Sequence, residues 1–560
     1  MKLGIISVFF CAVLYFGGYF LYFYFTGGDT KEAFDAENWV NPLDKERITD
    51  NADIYQDDVQ TKADKIYVTV FQAAKKSDQE NLTFQDIIKY SKSNETADVP
   101  FKVFFQDANK TLLDNGIFVR ETNAELELRG KSPGNDVQKS FQLTLHDKEG
   151  LWHNQKVINL VKDYKDPLRI RNKLAFDYFS IMPDITSLRT RLVRLFIKDL
   201  SASPNAEFED YGLFTQIEHP NKLFLTNHQL DPNAHLYKAE NFNFSRYPEY
   251  IKNKNDSSYV KQQFEEILEI RGSDDHQKLI NMLEAVNDPS VNIDDIIQKY
   301  FDKENYLTWL AANILFDNPQ VTHSNFFLYS PLNSTKWYFM PWDYDEAWGL
   351  ITERPTWQKG VAVYWDNVLH RRFLEKPGNI EQLNQKVEEL RAIVNEARTK
   401  AFLDSYYDII MSNITQLPDI KYLPITIDTY EKQYQDFPAM VARNLLYYYE
   451  LQENPMPVLL DEPEQFGHKI LFHWDQSVDL QGDNLAYDLE ISQVPDFSTV
   501  LTSIKDLKET KTEINNLSPG IYFWRVVVKD DNGHSQMALN VYEDDFGDKY
   551  FGIKRLIVKQ

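Results

Sequence analysis

Two polar residues flank a pair of short aromatic runs in the middle of the chain. Asn325 precedes the run FFLY, and Asp343 follows the run WYFMPW. If the two runs pair as a β-hairpin, the side chains of Asn325 and Asp343 lie close together. Amide and carboxylate oxygens are hard ligands of the kind that hold Mg²⁺ on a phosphate group. The spacing alone leaves a second interpretation open, in which both residues cap turns.

Several further motifs follow one another along the chain. They are Glu127, Arg129, Gly130 and Ser132 with Lys139-Ser140-Phe141; Asp166, Leu168, Arg171, Asn172 and Leu174; Tyr211, Gly212 and Glu218; Leu236-Tyr237-Lys238; and Asn318, His323, Asn325, Leu328 and Tyr329 with Pro341 to Asp345. In this order they resemble the CotH kinase-like family of atypical protein kinases, related to spore-coat protein H, over residues 65–450. The resemblance implies a kinase-like fold and phosphoryl transfer from ATP, with Mg²⁺, to Ser or Thr of envelope or coat proteins.

The resemblance also implies roles for individual side chains. Lys139 is the expected cation beside the α- and β-phosphates, and Glu218 is expected to orient it by an ion pair. Arg129 is expected to contact phosphate or a substrate carboxylate. Asp343 and Asn325 are the expected ligands of Mg²⁺. The alternatives are a solvated lysine at a strand edge and ordinary surface ion pairs.

One position departs from the family pattern. The family has an aspartate five residues before the metal-binding asparagine, where this chain has Gln320. A glutamine amide cannot accept the proton of a substrate hydroxyl, although it can orient a nucleophile. Asp317, three residues away, is the other candidate for the catalytic base. The sequence therefore leaves open an active transferase and a nucleotide-binding pseudokinase that acts as an assembly or surface-binding protein.

Composition narrows the classes of function. The 560 residues carry a net charge of −25, which argues against a nucleic-acid partner because nothing would neutralise phosphates along a duplex. The single cysteine, Cys11, excludes disulfides and a thiol nucleophile from the rest of the chain. Phosphate-loop, H-E-x-x-H and zinc-finger spacings do not occur. A glycoside hydrolase remains an alternative, although the spacing of the acidic residues does not indicate a catalytic pair.

The N-terminus predicts a membrane anchor. Leu3 to Phe25 contains no charged residue and is long enough to cross a hydrocarbon core of about 30 Å. Lys2 precedes this run, whereas Asp29 and Glu32 follow it, so the basic end is expected to stay in the cytoplasm. Residues 1–28 are thus interpreted as a signal-anchor of a single-pass cell-membrane protein with an extracytoplasmic body. A cleaved signal peptide is the alternative.

The remaining pattern predicts an α+β protein. Residues 29–64 read as a linker, and residues 65–452 as a kinase-like domain with strands first and helices later, one of them at 260–270. Asn454 to Pro463 is rich in proline and acid, which is typical of a domain boundary. Short strands and turns over 464–545 predict a small all-β sandwich that resembles a fibronectin type III module, followed by a tail at 546–560.

Overall fold

The computed structural model describes residues 48, 50–73, 83–89, 100–108, 122–130, 137–350 and 354–559. The predicted membrane anchor at 1–28 lies outside the described residues. Within these described ranges, no helix is both long and apolar enough to span a bilayer.

The first half of the chain forms a closed seven-stranded barrel. Its strands are β1 (Asp64–Ala73), β2 (Phe101–Asp107), β3 (Ala124–Arg129), β4 (Ser140–Leu145), β5 (Val157–Val161), β6 (Thr190–Asp199) and β7 (Glu209–Glu218), in the spatial order β1-β2-β3-β4-β5-β7-β6. Only β1 and β6 pair in parallel; the other neighbours are antiparallel. Alternating residues such as Ile66, Val68 and Val70 are fully buried in the barrel core, as the period of two in the sequence predicts.

A second sheet carries the aromatic runs. Its strands are β8 (His235–Ala239), β9 (Leu268–Ile270), β10 (Phe326–Ser330) and β11 (Tyr338–Pro341), in the order β11-β10-β8-β9. All five residues of β10 and all four of β11 are buried, which explains why both strands are continuously apolar and aromatic.

Helices pack against the barrel and the second sheet and complete a mixed α/β domain. They are α1 (Phe84–Lys89), α2 (Arg171–Phe179), α3 (Lys222–Asn227), α4 (Lys261–Glu265), α5 (Gln277–Asn287), α6 (Ile293–Tyr300), α7 (Lys303–Leu315), α8 (Val368–Leu374), α9 (Asn379–Arg391), α10 (Glu396–Ile414), α11 (Asp419–Tyr422), α12 (Ile427–Asp436) and α13 (Met440–Gln452). Short 3₁₀ segments lie at Ala52–Asp58, Asp147–Glu149, Pro319–Thr322, Thr356–Gln358, Ala362–Tyr364 and Phe437–Ala439. The helix α7 starts at the cap Asp302, whose carboxylate accepts from the backbone N–H of Asn305, and it is buried nearly from end to end.

One helix prediction is wrong. Residues 260–270 form the five-residue helix α4 and then the strand β9, because Leu268 to Ile270 pair with β8 at the sheet edge. Strand pairing with a distant segment here outweighs the local helical spacing of apolar residues.

The C-terminal region is all-β, as predicted, but the predicted tail belongs to it. Its strands are β12 (Glu464–Phe466), β13 (Lys469–His473), β14 (Ala486–Ser492), β15 (Val500–Leu507), β16 (Lys511–Asn515), β17 (Gly520–Lys529), β18 (Ser535–Met537), β19 (Val541–Glu543), β20 (Lys549–Phe551) and β21 (Ile553–Val558). The strand β21 pairs with β17 over six residues, and Leu556 and Val558 enter the core around Trp474 and Trp524. The segment 546–560 therefore completes the sheet, a long-range pairing that its short sequence does not reveal.

Candidate functional site

The hairpin predicted from the aromatic runs is confirmed. Phe326 pairs with Pro341 across β10 and β11, so Asn325 lies just before one strand and Asp343 just after the other. Both residues have left-handed backbone conformations, with φ of 60° at Asn325 and 57° at Asp343. Asn and Asp tolerate this region better than other side chains do, and such backbone strain is typical of functional sites.

Three carboxylates gather beyond the hairpin: Asp163, Asp343 and Asp345, here called the acidic cluster. Asp163 follows β5 of the barrel, whereas the other two follow β11. Asn172 of α2 joins the two segments, since its Nδ2 donates to Oδ1 of Asp163 (2.8 Å) and its Oδ1 accepts from the backbone N–H of Tyr344 (2.8 Å). This bridge fixes the barrel carboxylate against the loop that carries Asp343 and Asp345.

Burial and mutual repulsion both act on the carboxylates of the acidic cluster. Burial raises the pKa of Asp163 to about 6, although hydrogen bonds from Thr215 and Asn172 oppose the shift. Burial and the neighbouring charges of Asp343 and Asp163 raise the pKa of Asp345 well above its ordinary value. A divalent cation would relieve this repulsion, because hard cations bind carboxylate and amide oxygens. The donor set of the acidic cluster with Asn325 therefore fits Mg²⁺.

A capped helix holds the acidic loop in place. The carboxylate of Asp166 accepts from the backbone N–H groups of Leu168 (3.0 Å), Ile170 (2.7 Å) and Arg171 (3.0 Å) at the start of α2. Arg171 pairs with Asp166 and also donates from Nε to the backbone oxygen of Ala347 (2.8 Å). The motif around Asp166 and Arg171 therefore serves to position the loop, rather than to contact a ligand.

Basic side chains face the acidic cluster across Trp342. The guanidinium of Arg129, at the end of β3, lies 5.3 Å from the centre of the Trp342 ring, and the ammonium of Lys238, in β8, lies 5.8 Å from it. Burial lowers the pKa of Arg129, and the three carboxylates of the acidic cluster offset only part of this shift. Lys238 also pairs with Glu240 at 2.8 Å. The indole thus orients two cations beside the predicted metal ligands.

A neutral histidine extends this basic side. Burial and the nearby cations Arg271, Arg129 and Lys238 lower the pKa of His219 to about 3, so its ring is uncharged at neutral pH. One guanidinium nitrogen of Arg271 lies 3.1 Å from Nε2 of His219, and another pairs with Glu269 at 2.7 Å. Arg129, Lys238 and Arg271 are thus three cations around one neutral ring, an arrangement suited to phosphate oxygens.

The position of the missing family aspartate lies at the site. Gln320 accepts from Nδ2 of Asn325 through Oε1 at 2.9 Å, and it also hydrogen-bonds the carboxylate of Glu346. Burial raises the pKa of Glu346, and the charge of Asp343 adds to the shift, whereas Lys165, the hydrogen bond from Gln320 and Lys549 oppose it. A carboxylate with a raised pKa beside the expected base position is suited to accept a proton. The sequence did not indicate Glu346 because the family pattern places the base before Asn325, whereas Glu346 follows the metal-binding segment.

Asp317, the other predicted base, has different partners. Its carboxylate forms ion pairs with Arg354 and, at 2.9 Å, with Lys359, and all three side chains are at most 15% exposed. Both carboxylate oxygens are therefore occupied by cations of the protein itself. The two ion pairs indicate that Asp317 anchors the segment around residues 354–359.

The structure does not bring Lys139 and Glu218 together among the described contacts. Lys139 lies at the barrel mouth, in a cavity of about 200 Å³ that it shares with Lys162 and with barrel-core residues such as Phe141 and Phe214. Glu218 instead accepts from Nε2 of His228 (3.0 Å). Strand alternation explains why Lys139 and Arg129 occupy different places. Lys139 shares the inward-facing parity of Phe141, whereas Arg129 has the outward-facing parity of β3. Arg129 is therefore the predicted cation that lies at the acidic cluster.

The fold and this site define a class. An α+β domain that brings clustered carboxylates and an asparagine to face several cations can hold a divalent metal together with an anionic group. The family model described as CotH kinase protein matches residues 126–444, which is more than half of the chain and includes the whole site. The chain therefore belongs to the CotH kinase family.

Two further comparisons give relatives. The protein "Inner spore coat protein H" of Bacillus subtilis (strain 168) is 25% identical over 235 residues, which cover 41% of this chain and 60% of that protein. The match thus spans less than two thirds of the relative's length. A solved structure titled "Structure of FN3tt mut" is similar over 15% of this chain and 92% of its own, with 19% identity and a TM-score of 0.11, a likeness too weak to define the fold of any segment.

Proposed function

We propose that the chain transfers the γ-phosphoryl group of ATP to Ser or Thr side chains of another protein. The observation that carries the proposal is the acidic cluster facing Arg129 and Lys238 across Trp342, with Arg271 beside them at His219. Asp163, Asp343, Asp345 and Asn325 are the residues that would hold Mg²⁺, and the ion would supply charge neutralisation between phosphate oxygens. Arg129 and Lys238 would bind and orient the phosphates.

Glu346 is the proposed acceptor of the substrate's proton. Its hydrogen bond to Gln320, at the position of the family aspartate, supports the assignment. Gln320 would then hold Asn325 and Glu346 in register instead of acting as the base. This division of roles would compensate for the absence of the aspartate that the family pattern has at position 320.

The proposed acceptor is a protein of the cell envelope or coat. The relative named as an inner spore coat protein supports this proposal by similarity. The uncharged run from Leu3 to Phe25 supports the further proposal that the chain is anchored in the cell membrane with its body outside the cytoplasm. Such a location would put the site next to envelope proteins.

A second candidate function is binding without turnover. Gln320 in place of the family aspartate favours it, and so does the engagement of Asp317 by two cations. In this case the domain would bind Mg-ATP and serve as an assembly protein.

A labelling experiment separates the two functions. The full-length chain is incubated with Mg²⁺, γ-labelled ATP and an extract of envelope proteins, and label in protein and in free phosphate is followed. Metal-dependent labelling of protein that requires Asp343 supports the transferase. Binding of ATP without any labelled protein would support the pseudokinase instead.

A further inference from the structure

Two loops at one end of the C-terminal sandwich bring three aspartates together. The first loop joins β13 to β14 and carries Asp479 and Asp483; the second joins β17 to β18 and carries Asp530. One carboxylate oxygen of each lies within 4.8 Å of the others. Nothing in the site of the first domain uses these residues.

Asp479 gives an independent indication of a ligand. The residue is only 9% exposed. Its Oδ1 accepts from the backbone N–H groups of Gln481 (2.9 Å) and Asp483 (3.0 Å). Its Oδ2 is buried and has no hydrogen-bond donor among the described residues. Leaving a buried carboxylate oxygen without a partner is unfavourable, so its retention points to a cation that it binds.

The second loop is already shaped around the aspartates. The side chain of Asp530 is fully buried, and its Oδ1 accepts from the backbone N–H groups of Asn532 and His534, each at 2.8 Å. Its Oδ2 lies 2.8 Å from Nδ1 of His534, the one basic side chain with a described contact to the three carboxylates. The amide of Asn532 donates to Oδ2 of Asp483 at 2.5 Å, which ties the two loops together.

We propose that Asp479, Asp483 and Asp530 form a calcium site in the sandwich. Carboxylates from two loops suit Ca²⁺, which accepts six to eight oxygen ligands in irregular geometry, better than Mg²⁺, which demands a strict octahedron. A half-turn of the Asn532 amide would add its carbonyl oxygen to the three carboxylates. Bound Ca²⁺ would also supply the partner that Oδ2 of Asp479 lacks.

The site adjoins the contact between the sandwich and the first domain. Val478 and Leu480 flank Asp479 and pack against the helical core of that domain. Gln536, just after the second loop, donates to the backbone oxygen of Trp357 at 3.2 Å. Calcium would therefore hold both loops in the shape that contacts the first domain.

Calorimetric titration of the chelator-treated full-length chain with Ca²⁺, in excess Mg²⁺, tests the proposal. We expect one Ca²⁺ equivalent that Asp479→Asn and Asp530→Asn each weaken about tenfold or more, the least effect expected for losing a direct ligand. Glu509→Gln removes one exposed negative charge from the same sandwich and should bind Ca²⁺ normally. Asp343→Ala, which alters the proposed Mg²⁺ site, should also retain this equivalent.

Thermal unfolding distinguishes a variant that has lost Ca²⁺ binding from one that has failed to fold. Ca²⁺ should raise the unfolding temperature of the native chain and of Glu509→Gln. Asp483→Asn, at a partly exposed position, should unfold normally in chelator yet gain less from Ca²⁺. Identical Ca²⁺ titrations for the native chain, Asp479→Asn, Asp483→Asn and Asp530→Asn, or no Ca²⁺ binding by the native chain, would overturn the proposal.

Discussion

Nδ2 of Asn325 donates a 2.9 Å hydrogen bond to Oε1 of Gln320. The contact joins the predicted metal ligand to the position where the family has an aspartate. Because Gln320 also bonds Glu346, the three side chains form one chain of hydrogen bonds beside the acidic cluster. Substitutions at any of the three are therefore expected to affect the chemistry of one site.

Glu346→Gln should lower the rate of phosphoryl transfer by about 10²–10⁴-fold while ATP binding persists. The amide keeps the shape of Glu346 and cannot take the proton of a hydroxyl group. Single-turnover labelling with saturating Mg-ATP measures the rate. In the same variant, Gln320→Asp should restore part of the activity, because it returns a carboxylate to the family position. A native rate in Glu346→Gln would exclude Glu346 as the base.

Asp317→Asn should destabilise the domain by about 3 kcal/mol, because it leaves Arg354 and Lys359 buried without their counter-charge. The free energy of unfolding in urea measures the effect. Asp404→Asn breaks an exposed 2.7 Å pair with Lys400 and should cost under about 1 kcal/mol. If Asp317→Asn instead unfolds normally and loses phosphoryl transfer, then Asp317 is the catalytic base.

Arg129→Met should weaken Mg-ATP binding about tenfold or more, since methionine keeps much of the length of the side chain but removes its charge beside the acidic cluster. Arg391→Met, at an exposed helix end, is the matched control. Equilibrium binding of ATP at fixed Mg²⁺ gives both affinities. Equal affinities in the two variants would remove Arg129 from the phosphate site.

His228 should make the stability of the domain depend on alkaline pH. Burial alone would lower the pKa of His228, but Glu218 and Asp50 at its two ring nitrogens raise it to about 9. A raised folded-state pKa means that the stabilisation is complete below the ordinary pKa of about 6.5 and is lost as pH rises through about 9.

Urea unfolding between pH 6 and pH 10 measures this dependence. His228→Gln should be less stable than the native chain at pH 6, and the difference should shrink toward pH 10. His468→Gln, at an exposed position, should follow the native pH profile. Parallel profiles for His228→Gln and the native chain would show that His228 is not charged in the fold.

The sequence predicted those parts of the site that neighbouring residues define. The hairpin places Asn325 and Asp343 by local pairing, and the aromatic runs made it recognisable. Asp163 and Arg129 reach the same place because β3 and β5 both pair with β4 and end on the same side of the barrel. The contacts of these two residues with the loop at Asp343 join segments about two hundred residues apart. Local periodicity does not encode such contacts.

Strand parity accounts for the different positions of the two predicted phosphate cations. Lys139 continues the inward-facing series of Phe141 in β4, whereas Arg129 follows the outward-facing positions of β3. A one-residue difference in register decides which face a side chain occupies, and motif spacing does not determine that register. The strand β21 was not predicted for a related reason. Its place in the sheet depends on pairing with β17, which lies earlier in the chain.

Mg²⁺-dependent binding of ATP to the native chain and to Asp343→Ala is the most direct test of the proposed site. Isothermal titration with ATP, with and without Mg²⁺, gives the affinity, and thermal unfolding reports whether each protein is folded. We predict that the native chain binds Mg-ATP, that Asp343→Ala loses the Mg²⁺-dependent part, and that Asn325→Ala loses less of it. Equal Mg-ATP affinity in the native chain and a normally folded Asp343→Ala, or no binding by the native chain, would contradict the proposed site.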